Sequence, residues 1–395
     1  MRIGILTFHR SINNGAVIQC YSLSKRLKKE FPDATVEVID YQMPLIDERV
    51  YDTSFKHYFN GGLKHKAFFL LHLSDNLKRI DQDRKRKASF QNALTNLPLS
   101  SDKIYSNGIE ELVDYINSSY DVVVAGSDAI WNYSVRGFPN PYFLAETVKP
   151  TMFSYAASCY GMNYELIPSS QKNEIKKILD KYVFLGTRDD ESELFLKSIG
   201  CSIKPVHTCD PTAFLDVDDL PIDKDILMEK MLSRGFDFTK ITIGIMGSDK
   251  MCKMLRMMFG NQFQLVSLYN YNKLSDVNLN DLSPFEWAYV FRFFSITVTT
   301  YFHGTMLSLR NGVPVLSIAL DTEYSISHKT KVEDLLGRLC LSDCYWKTDY
   351  RSLSFLEIKN KILDLIYSDN HNSLLNKIDK EANSFFPFLT ALSNQ

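Results

Sequence analysis

Short apolar runs rich in β-branched residues alternate with longer segments of helical spacing along most of the chain. Residues 3–8, Ile-Gly-Ile-Leu-Thr-Phe, predict a first strand, and apolar positions 17, 20, 23 and 27 predict a helix over 16–28. Residues 35–41 give a second strand, and Tyr120-Asp-Val-Val-Val-Ala-Gly126 reads as a strand buried on both faces, as in a parallel sheet. Strands over 152–158 and 183–187 follow, with helices over 169–182 and 190–199. The rhythm restarts at 240–247 and continues through 264–268, 295–300 and 313–318, while Met251, Leu255 and Met258 form an apolar helix stripe best read as core. Residues 42–105 break the pattern, with an aromatic stretch at 51–59 and a helix over 63–92. Such alternation predicts α/β architecture with ligand loops at the carboxyl ends of parallel strands. A chain of 395 residues exceeds what one core usually supports, and the acidic, proline-containing segment 216–225 marks a boundary. We expect two Rossmann-like domains, 1–212 and 213–395, facing across a cleft, with the final segment 374–392 packing back across them.

Composition narrows the function classes. The formal net charge of −2 supplies no global field toward nucleic acid or anionic membrane. The seven cysteines are odd in number and scattered, and Cys340 and Cys344 lack a second pair, so neither a zinc site nor a disulfide framework is expected. A reducing cytoplasm fits best. No apolar run approaches the roughly 20 residues of a membrane span, so any membrane contact is expected to be peripheral. The dense basic stretch Lys78, Arg79, Arg84, Lys85, Arg86 and Lys87 reads as a solvated helix face or as a contact for anionic lipid or a lipid-pyrophosphate acceptor.

Candidate chemistry gathers where strands are predicted to end. After the first strand, His9-Arg-Ser-Ile-Asn-Asn-Gly15 joins strand to helix; Gly15 permits close approach of backbone to a ligand, and Asn13 or Asn14 can cap. The spacing is not GxGxxG, which disfavours a dinucleotide. Ser127 and Asp128 stand at the next strand end, where a carboxylate can accept a sugar hydroxyl proton and Trp131 can stack on a sugar ring; the competing reading makes Asp128 a cap and Trp131 core. Small residues around Ser158 suit a ligand loop, as do Gly247 and Ser248. Arg188, at a strand exit, matches phosphate or carboxylate through its planar fork, or else pairs with Asp189 or Asp190. His207 reads as a satisfied strand-end histidine. In Tyr301-Phe-His-Gly-Thr305 a strand hands over to a helix opened by Gly304 and Thr305, whose free N–H groups attract anions; His303 either serves a ligand or hydrogen-bonds within the loop.

The Phe302-His303-Gly304 turn between an apolar strand and a helix, followed by the Pro-containing run 313–318, resembles the C-terminal signature of the polysaccharide pyruvyl transferase family. Gly126-Ser-Asp-Ala-Ile-Trp-Asn132, the segment 154–161, Arg188 and Asp210-Pro-Thr212 resemble further family stretches. Two facing domains of this kind resemble the GT-B arrangement. The resemblance implies transfer of the pyruvyl group of phosphoenolpyruvate to two hydroxyls of a sugar in a bacterial polysaccharide or lipid-linked precursor, forming a cyclic ketal, with no cofactor or metal. It implies His303, Arg188 and Asp128 as catalytic groups, the N-terminal domain as the acceptor side, and Arg10, Asn14, Gly15, Ser127, Trp131, Asn132, Ser158, Gly247, Ser248, Tyr301, Gly304, Thr305, Tyr324 and Lys329 (or Lys331) at the substrates. One departure stands out. Tyr301 occupies a position where many members carry Arg, and Arg10, Lys329 or Arg310 are candidates to replace that cation. A glycosyltransferase using a nucleotide sugar and a carbohydrate-binding member without turnover remain the alternatives.

Overall fold

The computed structural model describes residues 1–44, 55–319, 329–347, 354–368 and 370–395, apart from the side chain of Lys56. Two parallel sheets organise them. The first contains β1 (Arg2–Leu6), β2 (Thr35–Gln42), β3 (Leu99–Tyr105), β4 (Val122–Ala125), β5 (Thr151–Ala157), β6 (Phe184–Thr187) and β7 (Val206–His207) in the order β3-β2-β1-β4-β5-β6-β7. The second contains β8 (Thr242–Met246), β9 (Gln264–Ser267), β10 (Val277–Asn278), β11 (Ile296–Thr299), β12 (Val315–Ile318) and β13 (Tyr345–Trp346) in the order β10-β9-β8-β11-β12-β13. The strands predicted at 35–41, 120–126 and 295–300 are all present; β2 runs one residue further than expected, and β4 and β11 are shorter at both ends. Strand β3 lies in the segment whose irregular pattern predicted none; its burial alternates poorly because it is an edge strand.

In both sheets the order reverses direction beside the first strand, β1 next to β4 and β8 next to β11, registered Ile3 with Val122 and Ile296 with Ile243. Crevices form at such switch points, outside the carboxyl ends of the strands. Helix Asn14–Glu30 leaves β1 there, and helix Phe302–Arg310 leaves β11. The two starts differ from expectation. Asn13 caps the first helix, its side chain accepting from the N–H groups of Gly15 and Ala16, so the helix begins at Asn14. The second begins at Phe302, ahead of Gly304, which places His303 in its first turn.

Packing joins the halves. Tyr21, Val17 and Ile18 of helix Asn14–Glu30 share a buried cluster with Phe285, Trp287 and Leu307 of the C-terminal half. The final helix Phe386–Ser393 inserts Phe388 and Leu392 beside Ile3, Ile5, Phe153 and Tyr155 of the first sheet, with the Phe388 and Tyr155 ring centroids 4.9 Å apart. Met251, Leu255 and Met258 are buried in the core of the second sheet. Among the described residues, no helix is long and apolar enough to cross a membrane.

Candidate active site in the interdomain cleft

A cavity of about 280 Å³ lies where the two switch points face each other. The N-terminal half contributes Ile12 to Gly15, Arg86 and Asp128, and the C-terminal half contributes Tyr269, Trp287, Tyr301, Phe302, His303 and Lys331 among others. Gly15 and His303 meet across the gap. A Cβ placed on Gly15 would stand 2.1 Å from His303 Cδ2 and 2.3 Å from Cγ, so only glycine lets the helix start come against the imidazole. His303 is half-buried, and neither ring nitrogen has a hydrogen-bond partner among the described residues. Burial lowers its pKa below the ordinary 6.5, and Arg188 and Lys331 lower it further against the opposing pull of Asp210 and Asp128. The ring is therefore a neutral base at neutral pH.

Asp128 leaves β4 with φ +83°, a left-handed conformation that aspartate tolerates better than most residues. Its Oδ1 accepts from the Ala129 N–H at 2.8 Å and from Arg188 Nη2 at 3.1 Å. Burial alone would raise the Asp128 pKa, but Arg188, His303 and Lys331 together hold the carboxyl well below the usual range. Arg188 itself is 1% exposed. It donates through Nη1 to Asp210 at 2.7 Å, and its guanidinium lies 4.7 Å from the Phe302 ring centroid. Neither Asp189 nor Asp190 is its partner. Asp189 instead caps the helix that follows, and Asp190 pairs with Lys329.

The expectation that Arg188 holds a substrate carboxylate is thus corrected: two aspartates already take its fork, and it sets the position and charge of Asp128. Lys331 differs. Its Nζ lies over the rings of Tyr160 and Phe302, at 5.5 Å and 5.4 Å, with no carboxylate partner among the described residues. Burial lowers its pKa. Arg86 reaches the same cavity from the long helix Leu73–Ala93, stacked 5.2 Å from the Tyr269 centroid, and Tyr269 in turn lies 4.3 Å from the Tyr301 ring. No carboxylate pairs with Arg86 in the described structure.

Several predicted site residues do other work. Trp131 is fully buried, stacked on Phe143 with its indole N–H donating to the Tyr142 carbonyl, so it is unavailable to a sugar. Asn132 caps the turn at Tyr133–Arg136 and donates to the Tyr160 carbonyl, and Ser158 bonds Asp189. Arg10 does not line the cavity; its fork clamps Asp40. Thr305 is buried and bonded to Ser317, and Gly304 allows the helix to pack on Thr299 and Met246. Gly247 and Ser248 do not line the cavity; they join Met246 to the helix Asp249–Phe259, which Ser248 caps. Lys329 bridges Asp190 and Asp334 instead of entering the cleft. Arg310 points to a separate groove of about 640 Å³, where Asp379 takes its charge. Asn14 does line the cavity, and Ser127 sits buried next to Asp128 with a hydroxyl that has no partner among the described residues. Tyr324 lies outside the described residues.

Arg86 and Tyr269 were not expected. Arg86 had one usable signal: it stands four residues before buried Phe90, hence on the inward face, whereas Arg84 and Lys85 are exposed.

The fold resembles those of several solved structures. UDP-GlcNAc 2-epimerase from Methanocaldococcus jannaschii matches at a TM-score of 0.55 and 10% identity, covering 99% of each chain. UDP-GlcNAc 2-epimerase from Neisseria meningitidis bound to UDP-GlcNAc matches at 0.52 and 12%, and the spinosyn forosaminyltransferase SpnP at 0.50 and 13%, each covering 100% of both chains. At these identities the likeness carries the fold, GT-B. No curated protein matches the sequence. The family model described as Polysaccharide pyruvyl transferase matches residues 13–322, most of the chain and every residue of the cavity named above except Ile12 and Lys331. The protein therefore belongs to the polysaccharide pyruvyl transferase family.

Proposed function

We propose that the protein moves the pyruvyl group of phosphoenolpyruvate onto two hydroxyls of a sugar, forming a cyclic ketal and releasing phosphate. The observation that carries this reading is the cleft's pair of uncommitted cations, Lys331 and Arg86, flanking an imidazole with two free nitrogens. Such a set suits a compact anion bearing both phosphate and carboxylate. The cavity, at about 280 Å³, is at the small end of ligand sites, which favours this donor over a nucleotide sugar. Arg86 stands beside Tyr301 through Tyr269, so a cation from the opposite domain supplies the charge that many family members carry at position 301.

The chemistry follows from these charges. Binding of the multiply charged donor raises the affinity of His303 for a proton, which the imidazolium delivers to the donor's methylene carbon. The adjacent carbon becomes cationic, and Asp128, held ionised, stabilises it. A carboxylate of such low basicity serves better in that role than as a proton acceptor. The first sugar hydroxyl attacks this carbon and gives its proton to the now neutral His303. The carbon–oxygen bond to phosphate then breaks, the second hydroxyl adds, and its proton leaves with the phosphate. Of the two hydroxyl protons, one is thereby balanced by the new methyl hydrogen and the other departs as hydrogen phosphate.

The test is phosphate release from phosphoenolpyruvate with lipid-linked or nitrophenyl galactosides, mannosides and glucosides, with mass spectrometry of the product. The expected outcome is a pyruvyl ketal, with turnover reduced about 100-fold or more in His303→Ala. Undiminished ketal formation in that variant would refute the assignment. Stabilisation by uridine or guanosine diphosphate but not by phosphoenolpyruvate would select the glycosyltransferase alternative.

A further inference from the structure

The helical segment before β3 carries a surface that the cleft chemistry does not use. Six large hydrophobic residues, Leu63, Phe68, Leu70, Leu71, Leu73 and Leu77, are exposed within fifteen consecutive positions, with Leu63 at 88% and Leu71 at 81%. In helix Leu63–Leu71 Phe69 is the buried residue, and it is held by the rings of Phe55 and Phe59, both with centroids 5.5 Å away. That aromatic prop fixes one face of the helix and leaves the others bare. Asn76 ties the bend to helix Leu73–Ala93 by donating to the Phe69 carbonyl.

Charge identifies what covers this surface. Residues 55–93 contain nine Lys and Arg against three Asp, in a chain of net charge −2. Lys64 and Lys78, adjoining the bare leucines, pair with no carboxylate in the described structure, and Lys66 lies over the Phe59 ring. Leucine and phenylalanine at a tip rimmed by free lysines match the boundary of an anionic bilayer, where acyl chains take the apolar side chains and headgroups take the ammonium groups.

We infer that the tip at Leu63–Leu77 docks the protein on an anionic lipid surface. Helix Leu73–Ala93 then connects that surface to the cleft, since Arg86 lies thirteen residues beyond Leu73, about 20 Å along one helix axis. Arg79 pairs with Asp249 at 2.9 Å, bracing the same helix against the C-terminal half. This geometry presents the cavity to an acceptor sugar carried on a lipid; that consequence rests on the pyruvyl transfer reading, whereas the docking itself does not.

The test is flotation of the full-length protein with vesicles of phosphatidylcholine alone and of phosphatidylcholine mixed with phosphatidylglycerol. Binding to the anionic vesicles is expected to exceed that to neutral ones about tenfold or more and to fall by a similar factor at high salt. Leu70→Ser/Leu71→Ser should abolish binding with an unchanged melting temperature, and Lys64→Gln/Lys78→Gln should weaken it while leaving the apolar tip intact. Equal flotation of parent and Leu70→Ser/Leu71→Ser, or absence of flotation by the parent, overturns the inference. So does a dimer in sedimentation velocity that Leu70→Ser/Leu71→Ser dissociates without any vesicle binding. Loss of ketal formation with intact flotation would count against the cleft chemistry alone.

Discussion

Single side chains separate structural charge from functional charge. Arg188 and Lys331 are neighbours, yet one is committed and the other free. Replacing Arg188 with Met strands Asp128 and Asp210 in a buried site, and urea unfolding should register a loss of about 3–5 kcal/mol. Lys331→Met removes no ion pair, so the same measurement should show little loss, while calorimetric affinity for phosphoenolpyruvate falls about tenfold or more. His303 adds a pH signature. Burial lowers its pKa, so anion binding takes up a proton and tightens as the pH falls toward that lowered value. Titration in two buffers of different ionisation enthalpy should reveal that uptake in the parent and its absence in His303→Ala. Glu191 tests the sign in the opposite sense: burial and the Asp189 carboxylate push it up to about 7 against a lowering contribution from the Gly161 N–H. A raised carboxyl favours the folded state below the unfolded pKa and loses that advantage as pH rises through 7. Glu191→Gln should therefore be more stable than the parent at pH 8, by on the order of 2–3 kcal/mol, with the gain vanishing toward pH 5.

Elements decide how closely the halves approach. The start of helix Asn14–Glu30 abuts helix Phe302–Arg310 through Gly15 and His303, a contact with no room for one further carbon. Gly15→Ala is expected to displace the imidazole, weaken phosphoenolpyruvate binding about tenfold or more and cost about 1–3 kcal/mol of stability. Gly15→Ala/His303→Ala relieves the overlap, so thermal unfolding of the single and double variants should give a sub-additive cost. Equal, additive costs would show that the contact is not what constrains position 15. Both helix positions were legible as strand-to-helix turns, because apolar periodicity and Asn-Asn-Gly capping chemistry are local. Their mutual contact was not, since residues 15 and 303 are brought together by two separate sheets.

At the scale of the molecule, the C-terminal helix closes the fold by returning to the first sheet. Phe388 is fully buried against Phe153, Phe184 and Tyr155, and Phe388→Ala should lower unfolding free energy by about 3–5 kcal/mol in a denaturant titration. The alternation of apolar runs and helical stripes announced two parallel α/β domains, and the segments around 126–132 and 302–304 announced the family, because both are written in residues close together in the chain. The site was only partly legible. His303, Asp128, Asn14 and Gly15 do line the cavity or its entrance, yet Trp131 belongs to the core, Arg10 and Lys329 are taken by aspartates, and Arg86 arrives from a helix that reads as solvated. By itself the sequence determined which segments become strands and helices and which strand ends carry polar chemistry, since each choice depends on backbone preference and on burial repeating at a fixed period. Only the tertiary structure decided which charges are free: Arg188 meets Asp128 across 60 positions and Asp210 across 22, and Coulomb attraction acts on distance in space, which the order of residues along the chain does not state.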